Sequence, residues 1–376
     1  MNFTKFQHLF LLLGITLSST LLFWSAFYFN LPGKIGMGDV SMETVWANYD
    51  GPNYLAISKC GYRPDCLRQN FALPMPLEYY PAHFPGFPFL INLFSNFFAG
   101  PQAMILVTLL SSLFLTTISY YFFNLFFSPQ SSFILALLSI FYPARLFILR
   151  QIGSPEPLFL ASILASIYFF KNKKYFISAI FVAITQSLKS PGLILFFAFG
   201  LHWLITFIKT KQLNFAKYSW YFLAPLSVLV IFYLYYLQTG DFWTYFHSGD
   251  NIHLSFIPYS VFVSHNIWVD TIWLEDVIYI FGLALVSIFV LYHRFKSSII
   301  FLFPLLFTIA TIFVGHRDIS RYIAPVYPFI ILSLGKYLTQ KRTIFVFVLL
   351  IPAVILYSLN FITGNSAPIA NWAPYL

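Results

Sequence analysis

The chain has 376 residues, 59% hydrophobic and only 9% charged, with a mean hydropathy of +0.77 and a net charge of +9. Soluble domains carry roughly a quarter charged residues, so this composition excludes one and points to an all-α polytopic membrane protein. The basic residues are scattered through short loops instead of forming a stripe, which reads as a topology signal and not as a nucleic-acid surface.

In chain order, the apolar run from Leu9 to Phe29 comes first. It is too long for a signal-peptide core and lacks a small-residue cleavage site, so it reads as a retained first span with the amino terminus inside. Apolar stretches of spanning length then recur, giving candidate spans at 9–30, 101–127, 131–149, 155–170, 174–189, 191–208, 218–237, 274–293, 297–315, 322–338 and 343–361, about 11 in all. The stretch 84–99 is also apolar but carries Pro85 and Pro88. Counting it as a span would put Lys171, Lys173 and Lys174 outside, so it is read as an interfacial helix lying along the outer surface. Two connections are long: 31–100, the first outer loop, and 238–273, a second large outer loop. Both mix Trp, Tyr and Phe with polar residues, as segments at headgroup level do, and would form a roof over the outer face. No repeat of fixed period and no soluble domain interrupts this pattern, so residues 1–376 read as a single domain.

With that topology the inside loops hold Lys and Arg only, and every Asp and Glu falls outside. The outer face is therefore where chemistry is expected. Asp50, in Tyr49-Asp50-Gly51-Pro52, is the leading candidate. Asp-Gly-Pro is a good helix start with Asp50 as N-cap, and a carboxylate there could also serve as a general base on a lipid-borne substrate. Asp39, in Gly36-Met37-Gly38-Asp39, is either a second carboxylate or metal ligand, or a turn residue. Glu78 and His83 lie close in sequence but share no clean metal-ligand spacing, so no metal or cofactor is indicated. Glu156 opens a span from the outer side, where it either favours the helix dipole or pairs with Arg150 or Arg145. Lys189 interrupts an apolar run just before Ser190-Pro191-Gly192, and a broken helix end beside a cation suits a phosphate. Arg317 and Arg321 supply further cations at the same face, with an Asp318–Arg321 loop pair as the plainer alternative. Cys60 and Cys66 are the only cysteines, and an outer position allows a small-loop disulfide between them.

Five short motifs, in order, carry a resemblance. Tyr49-Asp50-Gly51-Pro52-Asn53-Tyr54-Leu55-Ala56-Ile57, continuing through Cys60-Gly61-Tyr62, resembles the "WDGxWYLxIAxxGY" segment of PIG-V-type mannosyltransferases. Tyr80-Pro81-Ala82-His83-Phe84-Pro85-Gly86-Phe87-Pro88 is similar to their "FFPLYP" stretch, Ser154-Pro155-Glu156-Pro157-Leu158-Phe159 to "PESLF", Leu188-Lys189-Ser190-Pro191-Gly192-Leu193 to "TRxxGL", and Arg321-Tyr322-Ile323-Ala324-Pro325-Val326-Tyr327-Pro328 to "RYLxPxxP". Tyr49 and Lys189 replace a Trp and an Arg of those motifs, and Lys for Arg is not neutral at a bidentate site.

The resemblance implies a GT-C-like bundle with interfacial helices in the first outer loop, and a glycosyltransferase using a polyprenyl-phosphate sugar. Asp50 would be the catalytic base, and Glu156, Lys189, Arg321, Asp39, Tyr54 and His83 would contact substrate. The implied partners are the lipid-linked donor, an outer-face lipid, glycan or protein acceptor, and membrane lipid. No cofactor is implied, since a phosphate is already a competent leaving group. The implied location is a cell membrane with the active face extracytoplasmic, or the endoplasmic reticulum in a eukaryote. A transporter or lipid flippase also needs buried charge and broken helices, and an inactive GT-C-like subunit is the third reading.

Overall fold

A computed structural model describes residues 4–71, 76–248, 253–262, 274–367 and 369–376. Parts of the second long outer loop, with Asp250 and Asp270, therefore lie outside the described residues. Among those described, the chain is helical with no β-strand. The first half runs α1 (Lys5–Tyr28), α2 (Leu31–Lys34), α3 (Met42–Trp46), α4 (Gly51–Cys60), α5 (Pro64–Asn70), α6 (Gly86–Phe94), α7 (Gly100–Phe123), α8 (Pro129–Phe141), α9 (Ala144–Leu149) and α10 (Glu156–Lys171). The second half runs α11 (Tyr175–Leu188), α12 (Leu193–Thr210), α13 (Phe215–Tyr218), α14 (Leu223–Thr239), α15 (Glu275–Phe295), α16 (Ile299–Ile312), α17 (Ile319–Tyr322), α18 (Tyr327–Leu338) and α19 (Lys341–Gly364).

Among the described residues six segments, built on α1, α7, α12, α14, α15 and α19, are long and apolar enough to cross a bilayer, which makes this a multi-pass membrane protein. Their outward faces are apolar too, as lipid contact allows: Phe10, Leu22, Phe289 and Leu349 are all exposed. The sequence-derived spans need correction in three places. The 131–149 stretch is not one helix, because the chain leaves helix after Phe141 and restarts as α9 behind Pro143. The 297–315 span shortens to α16, and the 322–338 span begins as a short 3-10 turn at Ala324–Val326 before α18. Pro325, with no amide hydrogen to donate, sits in that turn. The 84–99 stretch contains only the nine-residue α6, about 14 Å long and far too short to cross a bilayer of roughly 30 Å. It buries Phe87, Pro88 and Ile91 and leaves Phe89 exposed.

The centre of the bundle is α10. Its apolar residues run all round, and twelve of its sixteen residues are buried, including Phe159, Leu160, Ile163 and Leu164, the pattern of a helix surrounded by protein. It packs against α7 and α11. Small residues permit the close approach: a Cβ at Gly153, just before α10, would lie 2.2 Å from Met104 Sδ in α7. Rigid central packing fixes where α10 begins, and its first residue is Glu156.

Beside that end of α10, the first long loop folds into α2 to α6. Cys60 and Cys66 form a disulfide joining the end of α4 to α5. The Tyr62 hydroxyl donates to the His83 carbonyl at 2.6 Å, and the Tyr235 hydroxyl of α14 donates to the Pro81 carbonyl at 2.8 Å. These bonds tie the segment carrying His83 to the loop after α4 and to α14.

Candidate active site

Asp50 occupies the N-cap position of α4, but its side chain makes no capping hydrogen bond. A capping side chain needs extended backbone at the N-cap so that it can fold back on the second or third amide. Asp50 has φ −88° and ψ 9°, and the carboxylate turns into the bundle instead. The residue before it, Tyr49, is left-handed at φ 49°, and Gly51 after it lies so close to the preceding turn that a Cβ would sit 2.6 Å from the Trp46 carbonyl oxygen. The capping reading of Asp50 is thus corrected: the residue starts the helix by position, while its side chain is free for other partners.

Those partners come from far along the chain. Arg321, from α17, donates Nη2 to Asp50 Oδ2 at 2.8 Å and Nε to Glu156 Oε1 at 2.7 Å. Lys189 Nζ reaches the same Glu156 oxygen at 2.8 Å, and the Ser154 hydroxyl donates to the other carboxylate oxygen. Lys189 can do so because α11 stops at Leu188 and Lys189 is extended at φ −152° and ψ 141°, ahead of the Ser190-Pro191-Gly192 turn. The result is an alternating row, Asp50–Arg321–Glu156–Lys189, with zero formal charge. Glu156 is 2% exposed, a depth at which a carboxylate persists only with such partners. Glu156 therefore pairs with neither Arg150 nor Arg145, as the sequence had suggested.

Asp50 has two more neighbours. The Tyr79 hydroxyl donates to Oδ1 at 3.2 Å, and His83 Nε2 is 3.5 Å from the same oxygen. The ring of Tyr54 meets that of His83 edge-on, 5.2 Å between centroids. Burial alone would push the Asp50 carboxyl up, but Arg321 and His83 outweigh it and hold it well below its ordinary value of 3.8. Asp50 is an anion at every physiological pH.

A second charged group adjoins the first. Arg145 Nε lies 3.0 Å from Asp318 Oδ1, and the Tyr49 hydroxyl donates to Asp318 Oδ2 at 2.7 Å. The expected Asp318–Arg321 pair is corrected: Asp318 belongs to Arg145. His316 Nδ1 accepts from the Asp318 amide at 3.0 Å. Burial, reinforced by nearby His253, lowers the His316 imidazole to about 4, so the ring is neutral at neutral pH and can accept that bond.

Both groups line one cavity of about 1070 Å³. Its walls also include Tyr54, Tyr79, Tyr245, Tyr322 and Tyr357, and apolar residues of α10, α15 and α16 such as Leu160, Ile280 and Phe307. Of the residues expected to contact substrate, the structure gathers Asp50, Tyr54, His83, Glu156, Lys189 and Arg321 in this cavity. Asp39 does not join them: it accepts from Asn30 Nδ2 at 2.9 Å in a turn beside α2. Glu78 is exposed and does not line the cavity either. Among the described residues no cluster of three or more His, Cys, Asp or Glu side chains is arranged to hold a metal ion.

Sequence reasoning missed Tyr49, Tyr79, Arg145 and Asp318 as members of the site. The nearest available signal was the clustering of Arg317, Asp318 and Arg321 in one short loop. Arg150, offered by the sequence as a partner for Glu156, lies fully buried between helices, where its Nη1 and Nη2 donate to the Ser112 and Ser139 carbonyls and to Thr116 Oγ1.

This arrangement of helices has a solved counterpart. The chain superimposes on ArnT from Cupriavidus metallidurans bound to undecaprenyl phosphate with a TM-score of 0.56 and 12% identity, covering 93% of this chain and 77% of ArnT. The fold is that of ArnT. The apo form of ArnT gives a TM-score of 0.54, again at 12% identity, over 93% of this chain and 74% of that one. The bundle is accordingly GT-C-like. No family model matches the sequence, and no curated protein matches it. The likeness to PIG-V-type mannosyltransferases rests on the five motifs alone.

Proposed function

We propose that this protein is a membrane glycosyltransferase that moves a sugar from a polyprenyl-phosphate donor to a hydroxyl of an extracytoplasmic lipid, glycan or protein acceptor. The observation that carries the reading is Asp50: a half-buried, uncapped carboxylate aimed into a large aromatic cavity that also holds two cations, Arg321 and Lys189, in a chain with the ArnT fold. ArnT itself has been solved with undecaprenyl phosphate, which supports a lipid phosphate as the natural partner of such a cavity.

In the reaction Asp50 takes the proton of the acceptor hydroxyl as its oxygen attacks the anomeric carbon. The bond from that carbon to the donor phosphate breaks with its electron pair, and the lipid phosphate leaves. A single displacement of this kind inverts the anomeric centre. The leaving charge is met by Lys189 and Arg321, preorganised donors that need little rearrangement at the moment of bond breaking. Tyr79 and His83 orient the base, and the tyrosine-rich walls suit the faces of a sugar ring. The sugar is a hexose, and the motif resemblance favours mannose.

The test is consumption of polyprenyl-phosphate sugars by the purified protein in detergent, followed as release of the lipid phosphate. Release that requires an acceptor supports the reading. A protein that leaves every such donor intact in detergent, yet moves lipid across a sealed vesicle, is a transporter and overturns it.

A further inference from the structure

Tyr49 combines three observations that the proposed reaction does not use. Its backbone is left-handed at φ 49°, which a bulky L-residue adopts only when its surroundings over-determine it. Its hydroxyl is fixed twice, donating to Asp318 Oδ2 at 2.7 Å and accepting from Arg145 Nη1 at 3.1 Å. Its ring lies under the Arg321 guanidinium, with the central carbon 4.5 Å from the ring centre. The tether is itself anchored. Arg145 bonds Asp318 at 3.0 Å and Ser320 Oγ at 3.1 Å, and its guanidinium lies 3.9 Å over Phe361 of α19. Phe361 in turn stacks on Tyr49, 5.7 Å between centroids. The whole unit is a rigid floor for one guanidinium.

We infer that Tyr49 is a positioning residue of the transfer reaction: through its bonds to Asp318 and Arg145 it holds Arg321 between Asp50 and Glu156. The inference rests on the proposed glycosyl transfer but concerns a different residue. Arg321 has two carboxylates to serve, and only a fixed guanidinium plane satisfies both at 2.8 and 2.7 Å. A cation over a ring face is attracted without being consumed as a donor, so Tyr49 steadies Arg321 and leaves its N–H groups for Asp50, Glu156 and the donor phosphate. The left-handed turn has a second effect, since it hands the chain to Asp50 in the geometry that leaves that carboxylate uncapped. The resembling motif carries Trp at this position, so the hydroxyl tether is this chain's own device.

The test uses the full-length protein in detergent with Tyr49→Phe, which removes only the hydroxyl. Tyr49→Asn is the second variant, because Asn tolerates the left-handed backbone while deleting the ring. Two readouts are followed. The first is the ionisation of Asp50 by infrared difference spectroscopy against Asp50→Asn, and it needs no turnover. Asp50 is faced by Arg321, His83, Tyr79, Tyr54 and Tyr322, with Glu156 across Arg321, and of these Arg321 is the one whose guanidinium rests on the Tyr49 ring. The second is kcat and donor KM for transfer.

Loss of the tether is expected to raise the Asp50 midpoint by about one pH unit and to lower kcat about tenfold, the scale of one charge-assisted hydrogen bond, with donor KM within about twofold. Tyr49→Asn should exceed Tyr49→Phe in both. An unchanged Asp50 midpoint in both variants overturns the inference, even if thermal stability falls, since that would be a merely structural role. If the wild type consumes no donor at all, the glycosyltransferase reading fails, while the infrared midpoint still decides whether Tyr49 holds Arg321.

Discussion

Replacing Glu156 by Gln removes one charge and almost no volume from the row of ion pairs. Its Oε1 accepts from Arg321 at 2.7 Å and from Lys189 at 2.8 Å. The change takes the row from zero to one net positive charge and leaves Lys189 without a carboxylate at that distance. Breaking a fully buried ion pair costs about 3–5 kcal/mol, because the remaining charge is uncompensated. The Lys189 side chain is 25% exposed and Arg321 keeps Asp50, so water and the second carboxylate reduce the expected cost to about 2 kcal/mol. In a chain of this size that corresponds to a fall of roughly 2.5 °C in unfolding temperature. Thermal unfolding is compared in one detergent at one scan rate, since membrane-protein unfolding is usually irreversible. A second variant, Glu156→Gln with Lys189→Met, removes the stranded charge and should recover at least half of the loss. If the single variant melts with the wild type, or if the double variant is no better than the single one, Glu156 is not what neutralises Lys189 and the charge argument fails.

Three further outcomes follow from particular contacts. The folded-state pKa of Asp50 is depressed, so its ion pair contributes stability above its ordinary value of 3.8 and loses it only as pH falls below that value. The acidic limb of kcat/KM should accordingly lie below pH 4 in the wild type and move upward in Arg321→Gln; a wild-type limb near pH 6 would contradict this. Gly51→Ala places a Cβ 2.6 Å from the Trp46 carbonyl oxygen, which must push the start of α4 and Asp50 with it. The expected cost is about 1–3 kcal/mol in stability, with transfer reduced beyond the stability loss, and unaltered turnover would show the turn to be looser than drawn. Cys60→Ser with Cys66→Ser opens a loop of sequence separation 6, worth about 2–3 kcal/mol on the chain-entropy scale. Unfolding temperature should fall while donor KM stays within about twofold, because the disulfide sits at the far end of α4 from Asp50.

The membrane class and most span positions were legible in composition and apolar run length, because those are local properties of the chain. The site was legible in part. Asp50, Glu156, Lys189 and Arg321 stood out as charges beside Gly or Pro breaks in apolar sequence, and such breaks are where helix ends face a cavity. Their pairing was not legible. Arg321 meets Asp50 across 271 positions and Glu156 across 165, and nothing local says which acid a given cation will find. Proximity in sequence misled instead: Asp318 is three positions from Arg321 in the chain but its carboxylate bonds Arg145, and Arg150 is near Glu156 but bonds carbonyls between helices. Tyr49 was hidden for a different reason. Its role depends on a positive φ, and Tyr gives no sequence signal for one, whereas Gly or Asn would. The break at Pro143 was masked by the unbroken apolar character of 131–149, in which helix and non-helix look alike by hydropathy.

The central claim is that Asp50 is the base that activates the acceptor, and the direct measurement is single-turnover transfer by Asp50→Asn. The carboxamide keeps an oxygen for Arg321 and so preserves the fold, but it cannot take the acceptor proton. The account predicts loss of the transfer step by at least about 100-fold, with the donor still bound to within about twofold of wild type. Transfer at close to the wild-type rate would contradict it.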